Sequence, residues 1–293
     1  MQYINYLFFR FFTRIIGILP FSILYQISDT LSWLLRNVIK YRTDVTRQNL
    51  RNAFPNKTKD EIESIFRKSY SNLSDIIIEG IKGFYLSEEE VIKRYQFSHT
   101  EKVNSFYDKG KSVVLFASHY GNWEWAPKAV GHSVKHRSLG IVKLVKNEYI
   151  NAFLQTNRCG KNVFLVDIAK TAKSIITYSD QPTQFVFLSD QGPTNTKKAH
   201  WIQFLNQNTP CLHGAERIAR KKNWPVFNAK TTRLKRGYYE TEFELLSENP
   251  SSTEEGEITE MYMRSLEQQI IAKPEDWLWS HKRWKRAHED PLA

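Results

Sequence analysis

SVVLFASHYGNWE, residues 112–124, is a short apolar run that leads directly into a polar turn. The run 112–118 contains two adjacent valines and is only a few residues long, which is typical of a strand buried within a sheet. Gly121 allows a tight turn after this strand, and the sequence WAPKAVG at 125–131 indicates the start of a helix. A strand that leads through a turn into a helix is the building unit of α/β domains.

The chain that follows repeats this alternation of strands and helices. Further strands are predicted at 138–145, 161–166, 183–189, 224–234 and 238–246. Helices are predicted around 148–158, 170–180, 213–222 and 258–272. The alternation predicts an α/β fold with a mixed central sheet flanked by helices that cover both of its faces.

The first twenty residues, MQYINYLFFRFFTRIIGILP, have an amphipathic pattern. Wound as a helix, they place polar residues, including Arg10 and Arg14, on one side and phenylalanine and isoleucine on the other. Charges inside the apolar run argue against a signal peptide and favour an in-plane anchor, while a membrane span within residues 3–39 stays open. We therefore predict an N-terminal helical membrane-docking region over 1–42, joined to one catalytic domain over 43–293. The alternative is a helix that packs on the core of the protein itself.

The composition indicates anionic partners. The chain carries 42 Lys and Arg against 31 Asp and Glu, a formal net charge of +11. Such a charge favours anionic lipid, phosphorylated substrates, an acidic carrier protein or nucleic acid. No nucleic-acid-binding motif is recognisable, so nucleic acid is not expected as a partner.

Cys159 and Cys211 form no CxxC pair, which argues against a disulfide scaffold and a thiolate metal site. Neither a metal nor a cofactor is expected.

His119 and Glu124 are the residues of this stretch that can carry chemistry. His119 follows the carboxyl end of the predicted strand, where α/β sheets bind ligands, and a neutral imidazole there can take a proton from a hydroxyl. Glu124 can fold back across the turn and accept the other ring N–H, which would orient the ring. No serine or cysteine lies in a nucleophile-elbow motif nearby, so a covalent acyl-enzyme is not indicated. We predict instead that the acceptor hydroxyl attacks an activated acyl carbonyl directly. The spacing alone is a weak signal, because a lone histidine is more often structural.

HYGNWE at 119–124 resembles the H-x4-D/E motif of glycerolipid acyltransferases. Its form with Gly-Asn-Trp and a terminal Glu is similar to the late acyltransferases of bacterial lipid A synthesis, the lauroyl and myristoyl transferases. Four further stretches resemble that family in the same order along the chain: TRQNLRNAFP at 46–55, NRCGKNV at 157–163, FLSDQGP at 187–193 and PEDWLWSHKRWK at 274–285. Five ordered matches are far more specific than any one of them.

The resemblance implies roles for individual residues. His119 would be the general base and Glu124 its orienting partner. The substrate-binding residues would be Asn122, Arg158, Asp190, Gln191 and Arg283. Structural alternatives exist for three of these residues: Asp190 as a turn former, Arg158 as a cation at a helix C-terminus, and Arg283 as a solvated cation beside tryptophans that pack a core edge.

The resemblance also implies a reaction and a location. A fatty acyl chain would pass from an acyl carrier protein thioester to a hydroxyl of a lipid A precursor, with acyl-CoA as the alternative donor. The enzyme would work at the cytoplasmic face of the inner membrane, where a membrane lipid is the acceptor.

Two stretches, TNTKKAHW at 194–201 and IQFLNQNTP at 202–210, depart from the family pattern and leave the acceptor open. The glycine-bearing stretch expected after the DQ motif is replaced here by IQFLNQNTP at 202–210. An acyltransferase of the same fold that acts on another membrane lipid, such as an aminolipid, is therefore the alternative.

Two further alternatives come from other classes of protein, a nucleic-acid-binding protein and a non-catalytic membrane-bending protein. The first lacks a motif, and the intact pair of His119 and Glu124 argues against the second.

Overall fold

The computed structural model describes residues 1–197 and 199–287, so residues 288–293 of the predicted domain 43–293 lie outside it. The α-helices are α1 Gln2–Ile18, α2 Phe21–Trp33, α3 Thr43–Ala53, α4 Lys59–Gly83, α5 Glu88–Arg94, α6 Thr100–Asp108, α7 Ala126–Ala129, α8 Glu148–Asn157, α9 Thr171–Thr177, α10 Gly214–Lys222 and α11 Glu257–Ala272. The strands are β1 Tyr95–Ser98, β2 Val113–Ala117, β3 Arg137–Val142, β4 Val163–Asp167, β5 Thr183–Leu188, β6 His200–Phe204, β7 Gln207–Cys211, β8 Val226–Lys235 and β9 Tyr238–Ser247.

Seven strands form one mixed sheet in the order β1-β9-β8-β2-β5-β3-β4. Neighbours from β8 to β4 are parallel, β9 is antiparallel to β8, and β1 is parallel to β9. The predicted α/β fold with a mixed sheet and flanking helices is confirmed, and every strand predicted from the sequence belongs to this sheet. The membrane-docking part of that prediction stays a prediction.

The sequence reasoning missed β1 and the antiparallel pair of β6 and β7. β1 has four residues and begins directly after α5, so it is too short to show an alternating pattern of its own. β7 contains Pro210, which lacks an amide hydrogen and argues against a strand except at an edge.

Successive side chains of β2 point to opposite faces of the central sheet. Val114 and Phe116 belong to the larger core, which also contains residues of α3, α4 and α11. Leu115 and Ala117 line a cavity on the opposite face. The turn that begins after Ala117 therefore lies at the sheet edge between the large core and this cavity.

Helix α1 lies on the protein through a side that mixes polar and aromatic residues, since Phe9 contacts Phe153 and the polar residue Arg14 is exposed. Thr13 is buried and its hydroxyl lies 2.9 Å from that of Tyr85, while Lys82 donates to the carbonyls of Gly17 and Leu19 at 2.6 and 3.0 Å. The apolar side faces outward, and its exposed residues are Tyr3, Ile4, Leu7, Phe8, Phe11, Phe12, Ile15 and Ile18. The helix does pack on the protein, but not through its apolar face. Over 1–197 and 199–287, no helix is long and apolar enough to cross a membrane.

Candidate active site

His119 and Asp190 meet because they occupy equivalent positions after two neighbouring strands. β2 and β5 are parallel, and Ala117 pairs with Leu188, so each side chain lies two residues beyond a paired position. Nδ1 of His119 lies 2.8 Å from Oδ1 of Asp190. The two residues thus reach the same edge of the sheet, as the sequence pattern predicts.

The surroundings of this pair set its protonation. The side chain of His119 is 20 % exposed and that of Asp190 is 2 % exposed. Burial by itself lowers the pKa of His119, but the charge and hydrogen bond of Asp190, helped by the charge of Glu124, raise it above its ordinary value. Burial raises the pKa of Asp190, yet His119 and the indole of Trp277 hold it below its ordinary value. An ionised Asp190 keeps a proton on Nδ1 of the ring and leaves Nε2 to exchange a proton with a substrate.

Two further side chains contact this pair. The side-chain nitrogen of Gln191 lies 3.2 Å from Nδ1 and 3.3 Å from Nε2 of His119. The indole N–H of Trp277 donates to Oδ2 of Asp190 at 3.0 Å. Sequence reasoning did not single out Trp277, although it lies inside the C-terminal stretch that carries the family resemblance.

The C-terminal stretch 274–285 is tied to the turn that carries the histidine. The amide of Leu278 donates to the carbonyl of His119 at 3.1 Å. Asn49, from the stretch 46–55, donates to the carbonyl of Trp279 at 3.0 Å. The tryptophans of this stretch pack in the large core, as predicted. The stretches 46–55 and 274–285, both of which carry the family resemblance, therefore support the turn of His119.

Glu124 pairs with Arg158 rather than with the histidine. Its carboxylate accepts a hydrogen bond from Nη2 of Arg158 at 2.9 Å. Sequence reasoning gave Glu124 the position on the ring N–H that Asp190 holds in the structure. The reason is local, because the turn leads the chain on into α7, whereas Asp190 arrives beside the ring on the adjacent strand. Arg158 is also the C-cap residue of α8. It therefore lies at a helix C-terminus, as its structural alternative predicted, and also near the site.

Asn122 is a buried residue of the turn. Its side-chain oxygen accepts the backbone N–H groups of Glu124 and Trp125, both at 3.0 Å, and its amide donates to Glu79 at 2.7 Å. It is 0 % exposed. The structure thus places the side chain of Asn122 inside the turn, where it bonds to the backbone and to Glu79. Its predicted role in substrate binding stays a prediction.

Glu79 is a buried carboxylate on which this turn depends. Besides Asn122, its carboxylate accepts the hydroxyls of Tyr25 at 3.0 Å and of Tyr239 at 2.7 Å. Burial raises the pKa of Glu79 to about 6. Sequence reasoning did not find it, although a carboxylate among the apolar residues of α4 was an available signal. Glu79 connects α2, α4 and β9 to the turn that carries Glu124.

We expect Glu79→Ala to lower the free energy of unfolding by about 3 kcal/mol or more, because two buried donors, Asn122 and Tyr239, and the half-buried Tyr25 lose their acceptor. Urea unfolding followed by circular dichroism measures the change. Glu63→Ala is the matched control, since Glu63 forms a partly exposed ion pair with Arg47 and such pairs contribute about 1 kcal/mol or less. Equal stability of the two variants would contradict the role given to Glu79.

Arg283 is buried as well. It is 2 % exposed, its Nη1 donates to the carbonyl of Pro210 at 2.7 Å, and its Nη2 lies 3.5 Å from Sγ of Cys211. The interpretation of Arg283 as a solvated cation is therefore wrong. Its predicted role in substrate binding stays a prediction.

An apolar cavity of about 100 Å³ lies beside the histidine. It is bounded by one face of the central sheet and by Ala126 and Pro127 of α7. Its aliphatic lining includes Leu115, Val142, Leu165, Val186 and Leu188. Ser118, Trp123 and Arg158 also lie in its wall, so it reaches the turn on both sides of His119. An apolar space of this kind favours a hydrocarbon group over a polar one.

The comparison with known proteins is consistent with this arrangement. Residues 1–286 match the family described as bacterial lipid A biosynthesis acyltransferase. The chain belongs to this family. It is similar to the lipid A biosynthesis palmitoleoyltransferase of Escherichia coli (strain K12), with 18 % identity over 268 residues that cover 91 % of this chain and 86 % of the relative. The lipid A biosynthesis acyltransferase of Shigella flexneri matches with the same identity and coverage.

Family membership confirms the resemblance on which the sequence reasoning relied. It makes the chain an enzyme that transfers acyl groups in lipid A synthesis. An enzyme of this class acts on a lipid acceptor and needs an acyl donor.

Proposed function

We propose that this acyltransferase moves a fatty acyl chain from an acyl carrier protein thioester to a hydroxyl of a lipid A precursor at the cytoplasmic face of the inner membrane. The observation that carries the proposal is His119, which Asp190 orients beside the apolar cavity. The net charge of +11 suits an acidic carrier and a phosphorylated lipid. Acyl-CoA is the alternative donor.

The chemistry follows from the two ring nitrogens of His119. With the acyl chain in the cavity, the acceptor hydroxyl displaces Gln191 from Nε2 and attacks the thioester carbonyl carbon as Nε2 takes its proton. The charge of Asp190 stabilises the imidazolium that forms. The tetrahedral intermediate then collapses, the carbon–sulfur bond breaks, and His119 returns the proton to the departing thiolate. The products are the acylated acceptor and the free thiol of the carrier, without an acyl-enzyme.

Arg158 and Glu124 have a second part in this proposal. Arg158 lies in the cavity wall, and its buried Nε has no hydrogen-bond partner within 1–197 and 199–287. A guanidinium there can stabilise the oxyanion of the intermediate. Glu124 holds the guanidinium in place through its 2.9 Å contact and adds negative charge near His119. Glu124 thus keeps a catalytic role, through Arg158 as well as through the histidine.

An assay of acyl transfer tests the proposal. Purified enzyme is incubated with acyl carrier protein thioesters, or with acyl-CoA, and with a tetra-acylated lipid A precursor, and the products are identified by mass spectrometry. We expect one additional ester-linked acyl chain on the precursor and release of the carrier thiol. Unchanged lipid A in a deletion strain, together with loss of another acylated lipid such as an aminolipid, would instead support the alternative acceptor.

Membrane binding through the outer face of α1 is part of the proposed location. Phe8 and Phe12 are 61 % and 60 % exposed on that face, among the other apolar residues of the helix. Burial of exposed aromatic side chains in the boundary between lipid head groups and acyl chains favours binding by roughly 1.5–3 kcal/mol for each side chain. We expect Phe8→Asp/Phe12→Asp to lower the partition coefficient on anionic vesicles at least about a hundredfold, as measured by cosedimentation.

The matched control for this prediction is Ile168→Asp/Ile176→Asp. Ile168 and Ile176 are 58 % and 77 % exposed, but they lie outside α1 and α2. We expect this control to bind vesicles as the wild type does. Equal losses in both double variants would show that no particular face docks, and would contradict the prediction.

A further inference from the structure

A basic depression lies next to the turn that follows Gln191. Its basic lining residues are Arg42, His281, Lys282, Arg283, Lys285 and Arg286. We call this depression the basic basin. Gly192–Thr194 and Pro210 line the rest of it, and its volume is about 270 Å³. The basin therefore begins one residue after a side chain that contacts the catalytic histidine.

The basic basin and the apolar cavity lie on opposite sides of the sheet edge. The cavity is on the face of Leu115 and Ala117. The segment that carries the basin residues follows Trp277 and Trp279, which pack with Phe116 on the other face. His119 stands at the strand end between the two, so a group in the basin and a chain in the cavity can both reach it.

Three of the basin's positive charges lack acidic partners in the described ranges 1–197 and 199–287. No carboxylate there pairs with Arg42, Lys282 or Lys285. Arg42 donates instead to the carbonyl of Ser280 at 3.1 Å. Clustered cations without counter-ions repel one another, and an anion that binds among them relieves the repulsion.

A buried arginine in the basin wall gives a second, independent indication of an anion. Arg283 is 2 % exposed, and its Nε has no hydrogen-bond partner within 1–197 and 199–287. A buried cation without a full set of partners costs free energy. Burial, with help from the nearby cations Arg283, His119 and Arg42, lowers the pKa of His281 to about 4. The charge of the basin therefore comes from its arginines and lysines.

We propose that the basic basin binds a phosphate group of the lipid acceptor and thereby places the acceptor hydroxyl at His119. A phosphate offers several oxygens with delocalised charge, which suits a cluster of guanidinium and ammonium groups better than one carboxylate does. The inference rests on the proposed function and deepens it, because it assigns the acceptor to one side of His119 and the donor chain to the other.

Steady-state kinetics and binding of two double variants test this inference. Lys282→Gln/Lys285→Gln removes two exposed charges of the basin, and Lys221→Gln/Lys222→Gln removes two exposed charges at the end of α10 as a matched control. The acceptor is the phosphorylated lipid A precursor, or the same precursor after phosphatase treatment, in nonionic detergent micelles. We expect the basin variant to raise KM for the phosphorylated acceptor about tenfold or more, with kcat changed less than about threefold. We expect KM for the dephosphorylated acceptor, and both values for the control variant, to change less than about twofold.

Equilibrium binding of the same micelles separates this inference from the proposed function. Loss of phosphate-dependent binding in the basin variant, with no acyl transfer by the wild type, would support the basin and contradict the proposed function. Acyl transfer by the wild type with equal KM changes for both acceptor forms would contradict the basin alone. A rise in KM for the carrier thioester, or equal loss of binding to phosphatidylglycerol vesicles without precursor, would assign the basin to another anion and overturn the inference.

Discussion

Substitution of His119 by alanine is expected to lower kcat for acyl transfer roughly a thousandfold or more, because it removes the proposed general base that takes the proton from the attacking hydroxyl. In the described structure the ring is oriented by Asp190 and has the side-chain nitrogen of Gln191 near both ring nitrogens. The variant keeps the apolar cavity and the basic basin, since neither is lined by His119. We therefore expect KM for the acceptor to change far less than kcat does.

His132→Ala is the matched control for this prediction. His132 contacts Glu88 at 3.4 Å at the surface and lines neither the cavity nor the basin. Acyl transfer is measured by mass spectrometry, and urea unfolding shows whether each variant is folded. A folded His119→Ala variant that retains more than about a tenth of wild-type kcat would contradict the general-base role.

The strand ends of the site could be predicted from the sequence, but the choice of carboxylate could not. The apolar runs before His119 and before Asp190 show that each residue follows a strand. They do not show that β2 and β5 are neighbours in the sheet, because β3 and β4 lie between them along the chain. Without the register of Ala117 on Leu188, Glu124 was the nearer carboxylate in sequence and the natural partner to predict.

The buried polar contacts of the site could not be predicted from the sequence for a related reason. Asn122 lies beside residues with plausible chemistry, and its position in the motif suggests contact with a substrate. Its partner Glu79 comes from α4, and the other partners of Glu79 come from α2 and β9. Hydrophobic periodicity can show that a residue faces the core, but it does not show which distant donors meet there. The orientation of α1 is a similar case, because its amphipathic pattern does not show which side of the helix faces the protein.

Substitution of Asp190 by asparagine is expected to lower kcat by roughly 10³–10⁴-fold, a larger effect than that of Glu124→Gln. The indole N–H of Trp277 donates to Oδ2 of Asp190 at 3.0 Å, so the asparagine must turn its oxygen toward Trp277. Its amide N–H₂ then faces Nδ1 of His119, which must become an acceptor. The ring proton moves to Nε2, where it blocks proton transfer from the acceptor hydroxyl.

Glu124→Gln is the comparison that separates the two carboxylates. It weakens the pair with Arg158 but leaves the Nδ1 contact of the ring intact. We expect a loss of roughly tenfold to a hundredfold, from the poorer position of Arg158. A loss larger than that of Asp190→Asn would show that Glu124 orients the histidine during the reaction, and would restore the partner that the sequence motif indicates.

The pH dependence of kcat/KM gives a readout that a merely structural role of Asp190 would not change. The carboxylate raises the pKa of His119 above its ordinary value of 6.5, and the base works only when neutral. The acidic limb of the wild-type profile is therefore expected above pH 6.5, with activity rising as pH increases through it. Without the negative charge, the residual activity of Asp190→Asn should have its acidic limb at lower pH. Because the charge of Glu124 contributes less to the pKa of His119 than Asp190 does, Glu124→Gln should shift the limb in the same direction by a smaller amount. If the acidic limb of Asp190→Asn lay at the same pH as that of the wild type, Asp190 would not set the protonation of the base.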